Sequence, residues 1–191
     1  MQTKAFCSVA KLAALSALVV GLIQPAAAIG ILDSAPFGGH NYYLLDTSNW
    51  TDAENQAISL GGHLVTINDA AENNFIFTRW AATRSLWIGL NDAAVEGSFV
   101  WASGQAVSFT NWRSGEPNNG LVIGGNEDYA YIMAAGFSES PGQWNDYQNL
   151  STIPGQPPLF GVVEVVPEPT GAILFAAGTV VWMFARRSSK R

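Results

Sequence analysis

The sequence predicts an α+β fold. Two segments in the first half have helical periodicity and helix-starting residues, whereas the chain after Arg84 consists of short β-type runs separated by stretches rich in glycine and asparagine. Helices followed by a series of strands are typical of the α+β class. The chain has 191 residues, which favours one domain once its ends are processed.

The first 28 residues predict a secretory signal peptide. Lys4 and Lys11 precede the apolar run "LAALSALVVGLI", and "QPAAA" then supplies small residues for cleavage near Ala28. The apolar run is too short to span a membrane comfortably. We therefore expect the domain to begin at about Ile29 and to be exported.

The helices and the first strands follow in order. "GHNYYLLD" predicts a first strand, because it is rich in aromatic and apolar residues after a glycine. "NWTDAENQAISLGG" predicts a helix in which Thr51 and Glu54 fit a capping box and two glycines form the end. "HLVTI" predicts a short strand, and "NDAAENNFIFTRWAATR" predicts a second helix with Asn68 or Asp69 as its cap.

The remaining strands are predicted over "SLWIGL", "SFVW", "EDYAYIMA", "GQWND" and "LFGVVEVV". Between them, the chain from Asn91 to Asp146 is mostly irregular, and such a long irregular segment usually carries function. One part of it, "GEPNNGLVIGGNED", holds three carboxylates and three asparagines without a positive charge. Its composition indicates a loop that collects oxygen ligands.

The last residues predict a sorting and anchoring segment. "VPEP" ends any strand, the fifteen residues 171–185 carry no charge, and "RRSSKR" follows. This tail resembles the PEP-CTERM sorting signal of Gram-negative bacteria. The resemblance implies a transient inner-membrane helix, processing by an exosortase-type enzyme, and release to the cell surface or extracellular matrix. The expected organisation is therefore a signal peptide over 1–28, a domain over 29–165 and a sorting signal over 166–191.

The processed domain would be strongly acidic. Between about Ile29 and Pro169 the only basic residues are Arg79, Arg84 and Arg113, against all fifteen acidic residues of the chain, which leaves a net charge of 3 − 15 = −12. Such a surface repels nucleic acid and anionic lipid but suits a divalent cation. The single cysteine, Cys7, lies in the predicted signal peptide, so we expect no disulfide.

Several motifs resemble the C-type lectin-like domain family. "LWIGLNDAAVEGSFVWASG", "NWRSGEPNN", "NEDYA" and "QWND" occur in that family's order and approximate spacing, and "WTDAENQAISLGGHLVTIND" is similar to its first helix and following strand. The resemblance covers about Gly39 to Val165. It implies two helices flanking a small antiparallel sheet, with a long loop region that binds calcium.

The resemblance also implies a calcium and carbohydrate site. Calcium prefers six to eight oxygen ligands, and the few histidines and the missing cysteines of the domain argue against zinc. The peptide bond before Pro117 is expected to be cis. In the family the order Glu-Pro-Asn accompanies mannose-, glucose- or fucose-type sugars. The residues carried over as ligands of both calcium and sugar are Glu116, Asn118, Glu127, Asn145 and Asp146.

A second calcium ion would use a neighbouring set of residues. The resemblance assigns this set to Asp92, Glu96, Asn119 and Asp128. Asn119 stands where some members have aspartate, which lowers the charge of that site.

The sequence departs from the family in two places. The loop between Glu116 and Glu127 is about three residues longer than in many sugar-binding members, because of "LVIGG". The usual disulfide positions hold Ala57 and Val163 for one bridge, and Tyr129 with a residue near Asn149 for the other. Packing must then replace both bridges.

Several other apolar and aromatic residues and both histidines are predicted to be structural. Trp87, Ile88 and Leu90 are expected in the core, Trp112 and Trp144 beneath the loops, and His40 and His63 beside strands.

The leading functional hypothesis is a non-catalytic, calcium-dependent carbohydrate-binding module with a glycan or exopolysaccharide as its partner. The alternative is a protein-interaction or structural matrix module that uses calcium only to order its loops. An enzyme is disfavoured, because the sequence shows no nucleophile-base-acid set and its paired carboxylates are better explained as metal ligands.

Overall fold

A computed structural model describes residues 29–120, 126–135, 142–155 and 158–167 and confirms the α+β class. The predicted signal peptide, the loop tip 121–125 and the chain from residue 168 lie outside the described residues. Within the described ranges, no helix is both long and apolar enough to cross a membrane. The elements are β1 (Ile31–Phe37), β2 (His40–Thr47), α1 (Trp50–Ser59), β3 (His63–Leu64), α2 (Ala70–Trp80), β4 (Ser85–Asn91), β5 (Val100–Trp101), β6 (Tyr129–Ile132), β7 (Trp144–Tyr147) and β8 (Leu159–Val165).

The strands form one mixed sheet in the order β1-β2-β8-β4-β6-β7, with β3 paired to β8 and β5 to β4. All pairs are antiparallel except β4 and β8, which run parallel. The sheet is therefore larger than the predicted small antiparallel one. Because β4 lies inside the sheet, its residues Trp87, Ile88 and Leu90 are fully buried, as predicted.

Strand β1 precedes the strand predicted to be first, and α2 holds it in place. The Asp33 carboxylate lies 2.7 Å from the Arg79 guanidinium and accepts a hydrogen bond of 2.9 Å from the Trp80 indole N–H. These contacts join residues almost fifty positions apart, so the local pattern of "ILDSAPF" does not reveal them.

Helix α1 begins two residues earlier than the predicted capping box. The Asn49 side chain accepts a hydrogen bond from the backbone N–H of Asp52 at 2.8 Å, and its amide donates to the Asp52 carboxylate. The predicted cap of Thr51 and Glu54 is therefore wrong. Glu54 is instead buried and accepts a hydrogen bond from the backbone N–H of Leu64 at 2.8 Å. For α2 the prediction is confirmed, because Asp69 is the cap.

Packing occupies the positions where the family resemblance places disulfides. Ala57 and Val163 lie in the same buried apolar cluster. Tyr129 is opposite Tyr147 in the β6–β7 pair, and its ring packs on that of Trp50 at 4.7 Å between centroids. Apolar and aromatic contacts thus join the same elements without a covalent bond.

Trp144 fixes the start of β7 beneath the loops, as predicted. Its side chain is fully buried, its indole N–H donates to the Asn73 side-chain oxygen at 2.7 Å, and the partly buried Trp112 packs edge-on against it. Backbone hydrogen bonds join Trp144 to Asn111 and Arg113 on either side. The two residues that follow Trp144 are therefore presented from a rigid base.

Gly89 provides a test of the close contact between β4 and the end of β3. A β-carbon on Gly89 would lie 2.5 Å from the Leu64 carbonyl oxygen, so Gly89→Ala should lower the free energy of unfolding by about 1–3 kcal/mol. Gly30→Ala is the matched control, because a β-carbon there meets nothing within 4 Å. Urea unfolding of both variants checks this expectation, and equal midpoints would contradict it.

Candidate functional site

Asp146 on β7 joins the loop region to the sheet. Its side chain is only 1% exposed, and its carboxylate accepts hydrogen bonds from the backbone N–H of Asn118 at 3.1 Å and of Asn119 at 2.9 Å. Asn119 has a φ of 53°, a left-handed conformation that asparagine tolerates better than most residues. The turn after Pro117 is therefore shaped by a strand residue 27 positions away from Asn119.

Two more carboxylates lie beside Asp146. The pKa of the Glu116 carboxyl is raised, first by burial and then by the negative charge of Asp146. The pKa of Glu127 is raised to about 7 by burial, by the charge of Asp146 and by that of Glu116. The three acidic groups therefore repel one another at close range. The peptide bond between Glu116 and Pro117 is cis, as expected.

The loop is also connected through its asparagines. The Asn119 side-chain oxygen accepts a hydrogen bond from the backbone N–H of Glu127 at 2.8 Å. The Asn118 side-chain oxygen accepts one from the backbone N–H of Gly120 at 2.9 Å. The Asn119–Glu127 bond joins the two ends of the loop on either side of the segment 121–125, and the Asn118–Gly120 bond closes a local turn before it.

Asn145 lies next to this group along β7. Its amide N–H groups donate to the backbone carbonyl of Asp146 at 2.8 Å and to the Tyr131 hydroxyl at 3.4 Å. Its side-chain oxygen is buried without a partner. All five residues assigned to the first calcium ion are joined by hydrogen bonds or by electrostatic interaction, Asn145 through the backbone carbonyl of Asp146.

The second predicted set is partly assembled. The backbone N–H of Asp92 donates to the Asp128 carbonyl at 3.1 Å, and the Asp92 carboxylate accepts a hydrogen bond from the Gly97 N–H at 2.8 Å. The pKa of Asp92 is raised by burial and then by the charges of Glu96 and Asp146. Burial and the charge of Asp92 raise the pKa of Asp128. Asn119, which is predicted for the second set, is hydrogen-bonded to Glu127 and Asp146 of the first set.

The donor atoms of both sets fit a hard divalent cation. Three buried side-chain oxygens of these two sets have no hydrogen-bond partner among the described residues, namely Oε2 of Glu116, Oδ1 of Asn145 and Oδ1 of Asp92. A buried oxygen without a partner is costly, and so are carboxylates that repel one another at low dielectric. Carboxylate and amide oxygens are the ligands that calcium prefers. A cation of this kind would satisfy both the orphaned oxygens and the excess negative charge.

Two tyrosines at this site were not anticipated from the sequence. Tyr131 is opposite Asn145 in the β6–β7 pair, and its hydroxyl lies at the Asn145 amide. The pKa of Tyr147 is raised by burial and by the charge of Glu127. Only the strand register brings these rings to the site, so no local motif could have indicated them.

The raised pKa of Glu127 predicts a pH dependence of stability in the presence of a chelator. The folded-state pKa of about 7 lies above the ordinary value of 4.5, so the folded protein holds this proton more tightly than the unfolded chain. The free energy of unfolding should therefore fall as the pH rises from about 4.5 to about 7. Glu127→Gln should reduce this slope, whereas Gln105→Asn, at an exposed non-titrating position, should not. Urea unfolding at several pH values measures both, and an unchanged slope in Glu127→Gln would refute the assignment.

Comparison with known proteins agrees with this architecture. Residues 46–152 match the family described as "Lectin C-type domain". The chain is 37% identical over 120 residues to "Lectin BRA-3" of Megabalanus rosa, a match that covers 61% of this chain and 69% of that protein. It is 42% identical over 90 residues to the "Alpha-N-acetylgalactosamine-specific lectin" of Patiria pectinifera, covering 44% of this chain but only 50% of that protein.

Solved structures show the same fold. The C-type carbohydrate-recognition domain of cow CD23 superposes with a TM-score of 0.59 at 27% identity, covering 71% of this chain and 95% of that domain. The carbohydrate-recognition domain of mouse scavenger receptor C-type lectin gives a TM-score of 0.59 at 30% identity, covering 71% and 96%. Because the family match includes more than half of the chain, this protein belongs to the C-type lectin domain family.

Proposed function

We propose that this domain binds carbohydrate in a calcium-dependent manner without catalysing a reaction. The observation that carries the proposal is the convergence of Glu116 and Glu127 on Asp146, beside buried oxygens that have no partner. Domains of this family typically bind calcium. The residues that would hold the ion are Glu116, Asn118, Glu127, Asn145 and Asp146, with Asp92, Glu96, Asn119 and Asp128 available for a second ion.

The side chains around the ion are suited to sugar hydroxyls. Bound calcium supplies a positive charge that attracts the oxygens of two neighbouring hydroxyls. The carboxylates of Glu116 and Glu127 can accept hydrogen bonds from those hydroxyls, and the amide of Asn118 can donate to them. Because Asp146 already holds the backbone of Asn118 and Asn119, part of the ordering cost is met before the ligand arrives.

The preferred sugar is proposed from the order of Glu116 and Asn118 around Pro117, which accompanies mannose-, glucose- or fucose-type ligands in the family. The names of relatives support carbohydrate as the ligand class but differ in the sugar. The lectin of Patiria pectinifera is described as specific for α-N-acetylgalactosamine, whereas the "C-type mannose receptor 2" of Homo sapiens is 36% identical over 121 residues. The cow CD23 domain was solved in the presence of a GlcNAc2Man3 oligosaccharide.

A glycan array with the full-length chain tests the proposal, run once with calcium and once with a chelator. We expect binding to mannose-type glycans only with calcium. Asp146→Asn and Glu116→Gln should each weaken calcium and glycan binding by at least about tenfold, since loss even of an outer-shell partner of a metal costs about 10–100-fold. Asp46→Asn is the matched control, because this carboxylate is exposed on β2. Glycan binding that persists in chelator would refute the calcium-dependent mechanism.

The same experiment separates the second candidate function, a protein-interaction module in which calcium only orders the loops. Val95 and Val100 are 62% and 51% exposed near Asp92, an apolar surface that suits a protein contact. Calcium binding by calorimetry together with an empty glycan array would favour this function over carbohydrate binding.

Export and C-terminal processing are part of the proposal. They are supported by the signal-peptide pattern of residues 1–28 and by the Pro-Glu-Pro motif with its apolar segment and basic end. In the native host, the mature protein should be found at the cell surface or in the extracellular matrix and should lack both segments. Intact mass spectrometry of that fraction measures the two termini. A full-length mass in the cytoplasmic fraction would contradict both expectations.

A further inference from the structure

A second group of metal-ligating side chains lies outside the carboxylate cluster of the loops. It consists of His40 at the start of β2, Glu72 in the first turn of α2 and Glu164 in β8. The candidate ligand atoms of these three residues all lie within 4.8 Å of one another. Both glutamates are only 5% exposed, whereas the His40 side chain is 32% exposed. The group is therefore buried, with an opening to solvent beside the imidazole.

Neutral donors orient both buried carboxylates. The Tyr42 hydroxyl donates to Oε1 of Glu72 at 2.6 Å, and the backbone N–H of Asn68 donates to its Oε2 at 2.8 Å. The backbone N–H of Thr66 donates to Oε2 of Glu164 at 3.1 Å, and Oε1 of Glu164 lies 2.5 Å from Nδ1 of His40. Hydrogen bonds of this kind are what fix the direction of ligands in metal sites.

Within the part of the chain that the structure describes, no lysine or arginine balances the charge of this group. Burial and the charge of Glu72 raise the pKa of Glu164, and His40 opposes the rise. Two adjacent buried carboxylates are costly unless a positive charge compensates them. The three arginines of residues 29–167 are engaged elsewhere, with Arg79 at Asp33, Arg84 over the Phe160 ring and Arg113 near Glu116. Of the groups that the structure describes here, only the His40 imidazole can carry a positive charge, and an imidazole is also a common metal ligand.

We propose that His40, Glu72 and Glu164 bind a divalent cation of the zinc class. One imidazole nitrogen and two carboxylate oxygens form a three-ligand set that suits zinc, and the open side beside His40 leaves room for a water molecule as the fourth ligand. The imidazole nitrogen distinguishes this group from the all-oxygen cluster of the loops, which suits calcium. The ion takes the place of the His40–Glu164 hydrogen bond, and any proton on the imidazole is released to solvent.

Such an ion would connect three elements that meet at one end of the sheet. β2 and β8 are neighbouring strands, and α2 reaches them through the Glu72–Tyr42 hydrogen bond. Because an ion that binds only the folded chain stabilises it, zinc would act here as a clamp in a domain without disulfides. This role is independent of the proposed carbohydrate binding.

The chain contains a matched control. His63 on β3 lies 2.6 Å from a carboxylate oxygen of Glu54, and it is the Cα partner of Glu164. This histidine and glutamate form a pair of similar geometry. Among the described residues, however, no third histidine, cysteine, aspartate or glutamate lies close enough to bind the same ion. His63→Ala therefore removes a nearby histidine but keeps all three proposed ligands.

The experiment is a calorimetric titration of zinc into the full-length chain, with calcium present in excess to fill the loop cluster. We expect one zinc ion per chain. His40→Ala and Glu72→Gln should each weaken zinc binding by at least about tenfold, as expected for direct ligands when outer-shell partners alone cost 10–100-fold. His63→Ala should leave zinc binding unchanged. Cobalt serves as a spectroscopic probe, because its visible absorption should be strong in the wild type and His63→Ala but lost in His40→Ala.

If Glu72→Gln folds poorly, thermal unfolding of His40→Ala still decides the question, because this second substitution changes a partly exposed side chain. Zinc should raise the melting temperature of the wild type and His63→Ala but not that of His40→Ala. Equal zinc affinity in the wild type and His40→Ala would overturn the proposal. So would displacement of zinc from this group by calcium at similar concentrations, because it would show that the imidazole confers no selectivity.

Discussion

The buried carboxylate of Asp146 is the centre on which the loop region depends. It accepts hydrogen bonds from two consecutive loop amides, and its charge raises the pKa of Glu116, Glu127 and Asp92. The Asp146 carboxylate therefore organises the loop. Its repulsion of the neighbouring carboxylates also destabilises the loop when no cation is present. A buried negative charge is costly without a positive partner, and this cost is the physical basis of the proposed cation site.

The position of Asp146 is in turn set by the core. Trp144, two residues earlier, is fully buried and hydrogen-bonded to Asn73 on α2. Its backbone is bonded to Asn111 and Arg113, which lie shortly before Glu116 in the chain. An unbroken set of contacts thus runs from the helix through β7 to both sides of the site. Since the domain lacks disulfides, this packing is what holds the loop ends in register.

The acidic composition of the domain is distributed between two different environments. In the loops, carboxylates and amides present only oxygen, whereas between β2, α2 and β8 two buried glutamates face an imidazole. The fifteen acidic residues of the chain therefore include two groups that gain from a cation, and the ligand chemistry of each favours a different ion. Residues 29–167 include only three arginines to balance these carboxylates.

The sequence by itself determined the α+β class, the two helices and seven of the eight strands that the structure describes, whereas the ligand roles of the loop residues stay predictions. These follow from local periodicity and from motifs whose members lie close together in the chain. Tertiary structure alone decided the strand β1, the cap at Asn49, the parallel pairing of β4 with β8 and the place of Tyr131 beside Asn145.

It also decided the meeting of His40 with Glu164, which are 124 residues apart. The physical reason is the same in each case. A local pattern shows which face of an element is buried. Strand register and helix packing, which join distant parts of the chain, decide which side chains meet across that face.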